Sequence, residues 1–241
     1  MKLSILIPVY NERQWLPSIV DKVLKQKIPG IKETELIIVD DYSKDGTREI
    51  VKDLSEKYPN LIYPAFHDKN LGKGAAISTA AGKMSGDLCI IQDADLEYDP
   101  ADYPLILGPI IDERADCVYG SRMIGSHARR VLFFWHYVGN KFLTLLSNLC
   151  TNLNLSDMET GYKAFRSEIL KTIPIRSRDF GFEPEITAKI ARRGCRVYEV
   201  GISYSGRTYK EGKKIHWVDG FKAIWVICKF LVINDSYKPQ P

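Results

Sequence analysis

Through its first half the chain alternates apolar runs of strand length with segments of helical spacing. Leu3–Val9 is apolar and closes at Pro8-Val9-Tyr10-Asn11-Glu12, and Trp15, Leu16, Ile19, Val20, Val23 and Leu24 then recur at helical intervals over residues 13–26. Glu35–Val39 is a β-branched run ending in Asp40-Asp41, and the segment from Ser43 to Tyr58 places Ile50, Val51 and Leu54 on one face, with Ser43 or Asp45 as a cap. The same alternation predicts a strand over Leu61–Phe66, an Ala-rich helix over Lys73–Met84, a strand over Leu88–Gln92, a helix over Pro100–Glu113 and a strand over Asp116–Gly120. Strands that are apolar almost throughout belong to a parallel sheet covered on both faces. The predicted class is therefore α/β: a Rossmann-like, mostly parallel central sheet with helices on both faces.

The second half reads differently. Residues 130–153 are apolar and aromatic, with polar interruptions that predict an amphipathic helix or helix pair. A short helix follows over Glu183–Arg193, with Pro184 at its start and Gly194 past its end; a strand is predicted over Arg196–Tyr204 and an amphipathic helix over Trp217–Ile233. No repeat or clear linker divides the 241 residues, so the expectation is a single domain over 1–241, with a ligand-binding half at 1–125 and a second half with amphipathic helices at 126–235.

Ligands of open parallel sheets sit at the carboxyl ends of the strands. Here the predicted ends read Tyr10-Asn11-Glu12, Asp40-Asp41, Asp93-Ala94-Asp95 and Gly120-Ser121-Arg122, all polar and all directed to one edge. Residues two apart in an extended segment share a side, so Asp93 and Asp95 face one point, and Glu97 can join Asp95. Such carboxylates suit a hard divalent cation that takes further ligands from phosphates; the alternative is an Asp-rich turn capping its own backbone. Asp41 is placed to accept from a nucleoside, or to serve as a carboxylate at a helix N-terminus. Arg122, Arg207 and Lys213 match phosphate oxygens in chemistry, against the alternative of ordinary surface charge. Asn70-Leu71-Gly72-Lys73-Gly74 lacks phosphate-loop spacing and reads as a tight turn into a helix.

Composition adds limits. The net charge of +4 suits anionic small ligands or an anionic membrane surface and does not point to nucleic acid. The five cysteines are widely spaced with no CxxC pair, which predicts a reducing compartment and no zinc site. The four histidines lack metal-ligand spacing. The apolar stretch from Phe221 to Ile233 is short of the roughly 20 residues a membrane span needs and carries Lys222 and Lys229. Residues 131–137 and 217–233, with Trp135, Trp217 and Trp225, read either as interfacial helices or as core.

Taken in order, Pro8-Val9-Tyr10-Asn11-Glu12, Val39-Asp40-Asp41 with the run to Thr47, Asn70–Gly74, Asp93-Ala94-Asp95-Leu96-Glu97 and Gly120-Ser121-Arg122 resemble the inverting GT-A glycosyltransferases of family 2. Asp157-Met158-Glu159-Thr160-Gly161-Tyr162-Lys163 and the Arg207–Lys213 loop resemble the polyprenyl-phosphate sugar transferases, dolichyl-phosphate mannose synthase among them. The resemblance implies a GT-A fold and transfer of a hexose from a UDP- or GDP-sugar to a polyprenyl phosphate, with Mg2+ or Mn2+. It implies that Pro8, Tyr10, Glu12, Val39 and Asp41 hold the nucleoside, that Asp93, Ala94, Asp95 and Glu97 hold the diphosphate and metal, and that Arg122, Arg207 and Lys213 clamp the leaving group. Arg129 or Arg130 would meet the acceptor phosphate. It further implies a peripheral place at the cytoplasmic face of a membrane, with room for a separate membrane-anchoring subunit. A hydroxyl acceptor would instead need a general base, for which Asp157 is the candidate. A DxD phosphohydrolase fits poorly, because Glu97 stands where Thr or Val is expected; a non-catalytic nucleotide-sugar-binding module stays open; and no GxGxxG follows the first strand to support a dinucleotide enzyme.

Overall fold

The β-branched runs pair as the pattern requires. The structure, a computed structural model, describes residues 1–125, 130, 131, 133–178, 181–208, 211 and 217–232, the last of these without the side chains of 217–219, 231 and 232. Strands β1 (Lys2–Val9), β2 (Glu33–Asp40), β3 (Ile62–Phe66), β4 (Leu88–Ile91), β5 (Cys117–Ser121), β6 (Lys163–Arg166) and β7 (Val197–Gly201) form one sheet in the order β3-β2-β1-β4-β6-β5-β7. All neighbours are parallel except β6, which runs antiparallel to both β4 and β5.

The helices are α1 (Leu16–Leu24), α2 (Thr47–Lys57), α3 (Lys73–Lys83), α4 (Tyr103–Ile111), α5 (Phe134–Thr151), α6 (Ser167–Thr172), α7 (Phe182–Arg192) and α8 (Trp217–Val232). Strand alternation divides the core between the two faces. Leu3, Ile5, Ile7 and Val9 of β1 pack with Leu16 and Ile19 of α1 and Ile106 and Ile110 of α4. Leu6, Ile37 and Val39 face the other way, onto Ala76, Ile77 and Ala80 of α3 and Phe182, Ile186 and Ile190 of α7. Small residues along α3 let it lie close to the sheet. At its start Gly74 lies against the loop before α7: a Cβ there would stand 2.0 Å from the carbonyl oxygen of Ser177.

Helix α5 seats polar residues deepest. Its buried residues are Thr144 and Ser147. Thr144 Oγ1 accepts from the Met158 amide at 3.1 Å, and Asn148 bonds both the amide and the carbonyl of Leu155, at 3.1 and 2.8 Å. Leu143, Leu146 and Cys150 pack partly against the core, while other large side chains point outward: Trp135 is 78% exposed and Leu149 76%, with Phe134, Phe142 and Leu145 beside them. Phe221 and Trp225 of α8 are exposed as well. Among the described residues no helix is long and apolar enough to cross a membrane.

The sequence pattern locates most elements to within a few residues. It resolves 130–153 to one helix only in part, and it misses β6 and α6 altogether. β6 has four residues, Lys163-Ala164-Phe165-Arg166, bounded by charges, which is too short for alternation to register.

Candidate active site

The carboxyl ends of the parallel strands open onto a cavity of about 760 Å³. β1 contributes Pro8, Val9, Tyr10 and Glu12; the β2 end contributes Asp41; the β4 end contributes Asp93, Ala94, Asp95 and Glu97; and the β5 end contributes Arg122. From the second half come Glu159 and Gly161 before β6, Glu183 of α7, Tyr204 and Arg207 after β7, and Trp135, Leu143 and Ala223 of α5 and α8. Three of the strand ends turn through non-glycine residues with positive φ: Asn11 (51°), Tyr42 (65°) and Leu96 (61°). A left-handed conformation at a bulky residue is held only where its surroundings over-determine it, and here it occurs where the chain leaves the sheet for the cavity.

Asp41 is saturated by its own chain. Oδ1 accepts from the Leu71 amide at 2.8 Å and lies 2.7 Å from His67 Nδ1, while Oδ2 accepts from the Gly72 amide at 2.7 Å. It therefore shapes the 70–72 turn and with it the start of α3. Asp40, the partner acid of the motif, is fully buried and paired with Arg48 at 2.9 Å.

The acidic segment after β4 is met by two cations of the protein. Lys73 Nζ lies 2.9 Å from Asp93 Oδ1 and 3.2 Å from Glu183 Oε1. Arg207 lies 2.8 Å from Asp95 Oδ2 and 3.5 Å from Glu12 Oε2, and its amide donates to Glu97 Oε1 at 2.8 Å. Glu97 also accepts from the Tyr204 hydroxyl at 2.8 Å. Burial, with Asp93 and Glu97 nearby, pushes the Asp95 carboxyl up to about 7 despite Arg207. Such a site gains from any further positive charge. Gly161 packs directly behind it: a Cβ there would come within 2.3 Å of Asp93 Oδ2 and displace that carboxylate.

The donor set fits a hard cation, but only as part of a shell. Asp93 and Asp95 supply oxygen ligands, whereas Glu97 is engaged with Tyr204 and Arg207, and among the described residues no three His, Cys, Asp or Glu side chains converge to enclose a metal. An open carboxylate pair is the arrangement used for Mg2+ or Mn2+ when phosphate oxygens complete the coordination.

Arg122 is fixed by Asp157. The guanidinium makes two bonds of 2.7 Å to the carboxylate, the Arg122 amide adds a third at 3.0 Å, and Asn140 Nδ2 donates from α5 at 3.2 Å. Burial alone would raise the Asp157 carboxyl, but Arg122 outweighs it and holds it below the usual carboxylate range. Asp157 is fully buried and does not line the cavity, which corrects its reading as a general base: it is the residue that positions Arg122.

The remaining expectations separate. Val39 is buried in the core beneath α3 and does not line the cavity. Arg130 is exposed and tied to Glu211 at 2.8 Å and to the Gly206 carbonyl at 3.3 Å, so it braces the segment carrying Arg207 and does not line the cavity. Arg129 and Lys213 lie outside the described residues. Sequence reasoning passed over Lys73, Glu159, Glu183 and Tyr204. Lys73 carried a signal, as a lysine opening a helix directly after a strand-end turn; Glu159 stands in the 157–163 motif without a role being read for it, and Glu183 had no signal beyond opening a helix.

A sheet whose strand ends gather carboxylates opposite lysine and arginine is the diphosphate-and-cation cradle of a GT-A fold. Over 98% of the chain the structure is similar to glucosyl-3-phosphoglycerate synthase from Mycobacterium tuberculosis, crystallised with Mn2+, uridine diphosphate and phosphoglyceric acid, with a TM-score of 0.72, 21% identity and 80% of that chain covered. Among curated proteins it is 30% identical over 224 residues to the undecaprenyl-phosphate mannosyltransferase of Micrococcus luteus, covering 88% of this chain and 87% of that protein. It is 26% identical over 213 residues to the undecaprenyl-phosphate 4-deoxy-4-formamido-L-arabinose transferase of Proteus mirabilis, again over 88% of this chain but spanning only 62% of that longer protein. The sequence model of glycosyl transferase family 2 matches residues 4–173, and the chain belongs to that family.

Proposed function

We propose that the protein transfers a hexose from a UDP- or GDP-sugar to a polyprenyl phosphate at a membrane surface, with a divalent cation. The observation that carries this reading is the position of the cavity. It runs from the acidic cradle at Asp93 and Asp95 to the space between α5 and α8, whose outward faces are large and apolar. Contiguous exposed apolar surface of this kind marks a contact with another phase or partner.

In this reading Pro8, Tyr10 and Glu12 border the nucleoside, and Asp41 serves it through the turn it organises. Asp93 and Asp95 hold the cation, Mg2+ or Mn2+, which supplies charge neutralisation on the diphosphate when bound. Arg122 and Arg207, with Lys213 by resemblance, meet the negative charge that grows on the leaving diphosphate. An acceptor phosphate oxygen attacks the anomeric carbon, the bond from that carbon to the diphosphate oxygen breaks, and the nucleoside diphosphate departs with the electron pair. A phosphomonoester is already anionic near neutral pH, its second pKa being about 6. No general base is then required, in keeping with a cavity in which Asp157 is sealed behind Arg122. By the resemblance alone, Arg129 or Arg130 would meet the acceptor phosphate.

The test incubates the protein with Mg2+ or Mn2+, a panel of UDP- and GDP-sugars and undecaprenyl phosphate in detergent, and follows sugar-lipid by chromatography. A product that disappears with chelator and in Asp95→Ala is expected. Transfer only to a soluble hydroxyl acceptor would overturn the lipid assignment, and full activity of Asp95→Ala in chelator would overturn the cation.

A further inference from the structure

Two acids on the cavity floor have no role in the chemistry described above. Glu183 is only 4% exposed, and its Oε2 has no hydrogen-bond partner. Glu159 Oε1 is likewise buried without a partner. Both residues line the cavity. A buried acceptor left unsatisfied costs about 1–3 kcal/mol, so such atoms in a native site await a donor.

Their location says which donor. Lys73 bridges Asp93, at 2.9 Å, and Glu183, at 3.2 Å, so a single ammonium separates the diphosphate cradle from Glu183. Glu159 precedes Gly161, whose backbone abuts Asp93. In a nucleoside diphosphate sugar the hexose hangs directly on the second phosphate, so the floor beside Asp93 is where its ring must lie. Ring hydroxyls are donors of the right reach and number for two carboxyl groups.

We propose that Glu159 and Glu183 select the transferred sugar, their unpartnered oxygens accepting hydrogen bonds from hydroxyls of a neutral hexose and excluding sugars that are deoxygenated or acidic at those positions. This rests on the reading of the site as a nucleotide-sugar site. Two features support it. Burial and the adjacent Glu183 push the Glu159 carboxyl up to about 8, so near neutral pH it is a carboxylic acid that both donates and accepts. The lysines at hand are already engaged: Lys73 with Asp93 and Glu183, and Lys163 with the carbonyls of Met158 and Thr160 while its ammonium lies 4.6 Å from the centre of the Tyr119 ring. A uronic acid would bring a further carboxylate against the buried Glu183 side chain, and a deoxy sugar would leave an acceptor bare. Sites built to bond a hydroxyl reject analogues lacking it far more strongly than apolar pockets reject a methylene.

The experiment measures affinities by calorimetry with Mn2+ for UDP, GDP, UDP-glucose, GDP-mannose, the monodeoxy forms of both sugars and UDP-glucuronic acid. The proteins are wild type, Glu159→Gln and Glu183→Gln, each checked for folding by thermal melting. For the accepted hexose, removing at least one ring hydroxyl is expected to weaken wild-type binding at least tenfold, and the same deletion to matter less than threefold in one of the two variants. UDP or GDP affinity should stay within twofold in both. Additive effects at every ring hydroxyl, or an equal loss of bare nucleoside diphosphate affinity, would overturn the proposal. UDP-glucuronic acid binding as tightly as the hexose would do so too. If wild type bound neither UDP nor GDP, the functional reading itself would be the part that failed. A variant that does not melt cooperatively leaves its counterpart and the wild-type deoxy series to decide.

Discussion

Asp157 and Asp41 are both motif acids, and both spend their oxygens on the protein. Asp157 accepts three bonds from Arg122, and Asp41 accepts two from backbone amides and shares one with His67. The sequence supplies the residue type at each strand end but not the direction of its lone pairs, and that direction separates a ligand from a residue that holds the ligand's partner. Asp157→Asn should leave Arg122 with a buried unpaired charge, at a cost of about 3 kcal/mol in unfolding free energy, and should lower kcat/KM at least tenfold. The pH profile of what activity remains should keep the wild-type shape; loss of an acidic limb in the variant would restore Asp157 as a base. A different acid sets acid stability. Glu35 accepts from Ser4 and Ser85 and pairs with Lys2 at 2.7 Å; burial works to raise its carboxyl, but these partners win and hold it at about 2 against an ordinary 4.5. A lowered folded-state value means that this stabilisation is complete above about 4.5 and fades as pH falls toward 2. Glu35→Gln should lose about 2 kcal/mol at neutral pH, and urea midpoints of variant and wild type should converge across that window.

At the scale of elements, α5 tells what a hydrophobic pattern can and cannot say. The run from 130 to 153 announces a helix, because its polar interruptions recur at helical spacing. It does not announce which face is buried, since bulky apolar residues ordinarily turn inward. Here Asn140, Thr144 and Asn148 turn inward to hold the 155–158 segment, Leu143 and Leu146 pack partly against the core, and Phe142, Leu145 and Leu149 face outward. The same segment carries Asp157, so one helix both fixes Arg122 and presents an apolar surface. Leu145→Glu with Leu149→Glu should reduce co-sedimentation with vesicles of anionic phospholipid at least fivefold while leaving the affinity for UDP or GDP unchanged. Retention of vesicle binding would assign the apolar face to another partner. β1 to β5 were legible because each is an apolar run closed by polar residues; β6 was not, and only its long-range pairing with β4 and β5 makes it a strand.

Across the whole molecule, the sheet reverses once, at β6. Running against its neighbours, β6 begins where they end, so Glu159 and Gly161 just before it arrive at the cavity. The cradle at Asp93 and Asp95 could be read from the chain as one strand end among several. The floor could not, because it is assembled from 159, 161 and 183, which are far in sequence from 93; a motif flags 157–163, but nothing in the chain brings it beside 183. The reversal also bears on inheritance. β5 hydrogen-bonds to no described strand of the first 125 residues; its partners are β6 and β7. Severing the chain at 125 would strand β5 and bare the edge of β4, so the first 125 residues cannot keep this sheet without the rest. Descendants of such a protein can retune either substrate by point substitution along α5, α7 or the loops, but they cannot acquire a new acceptor by exchanging a C-terminal module. Engineered chimeras will have to respect the same seam.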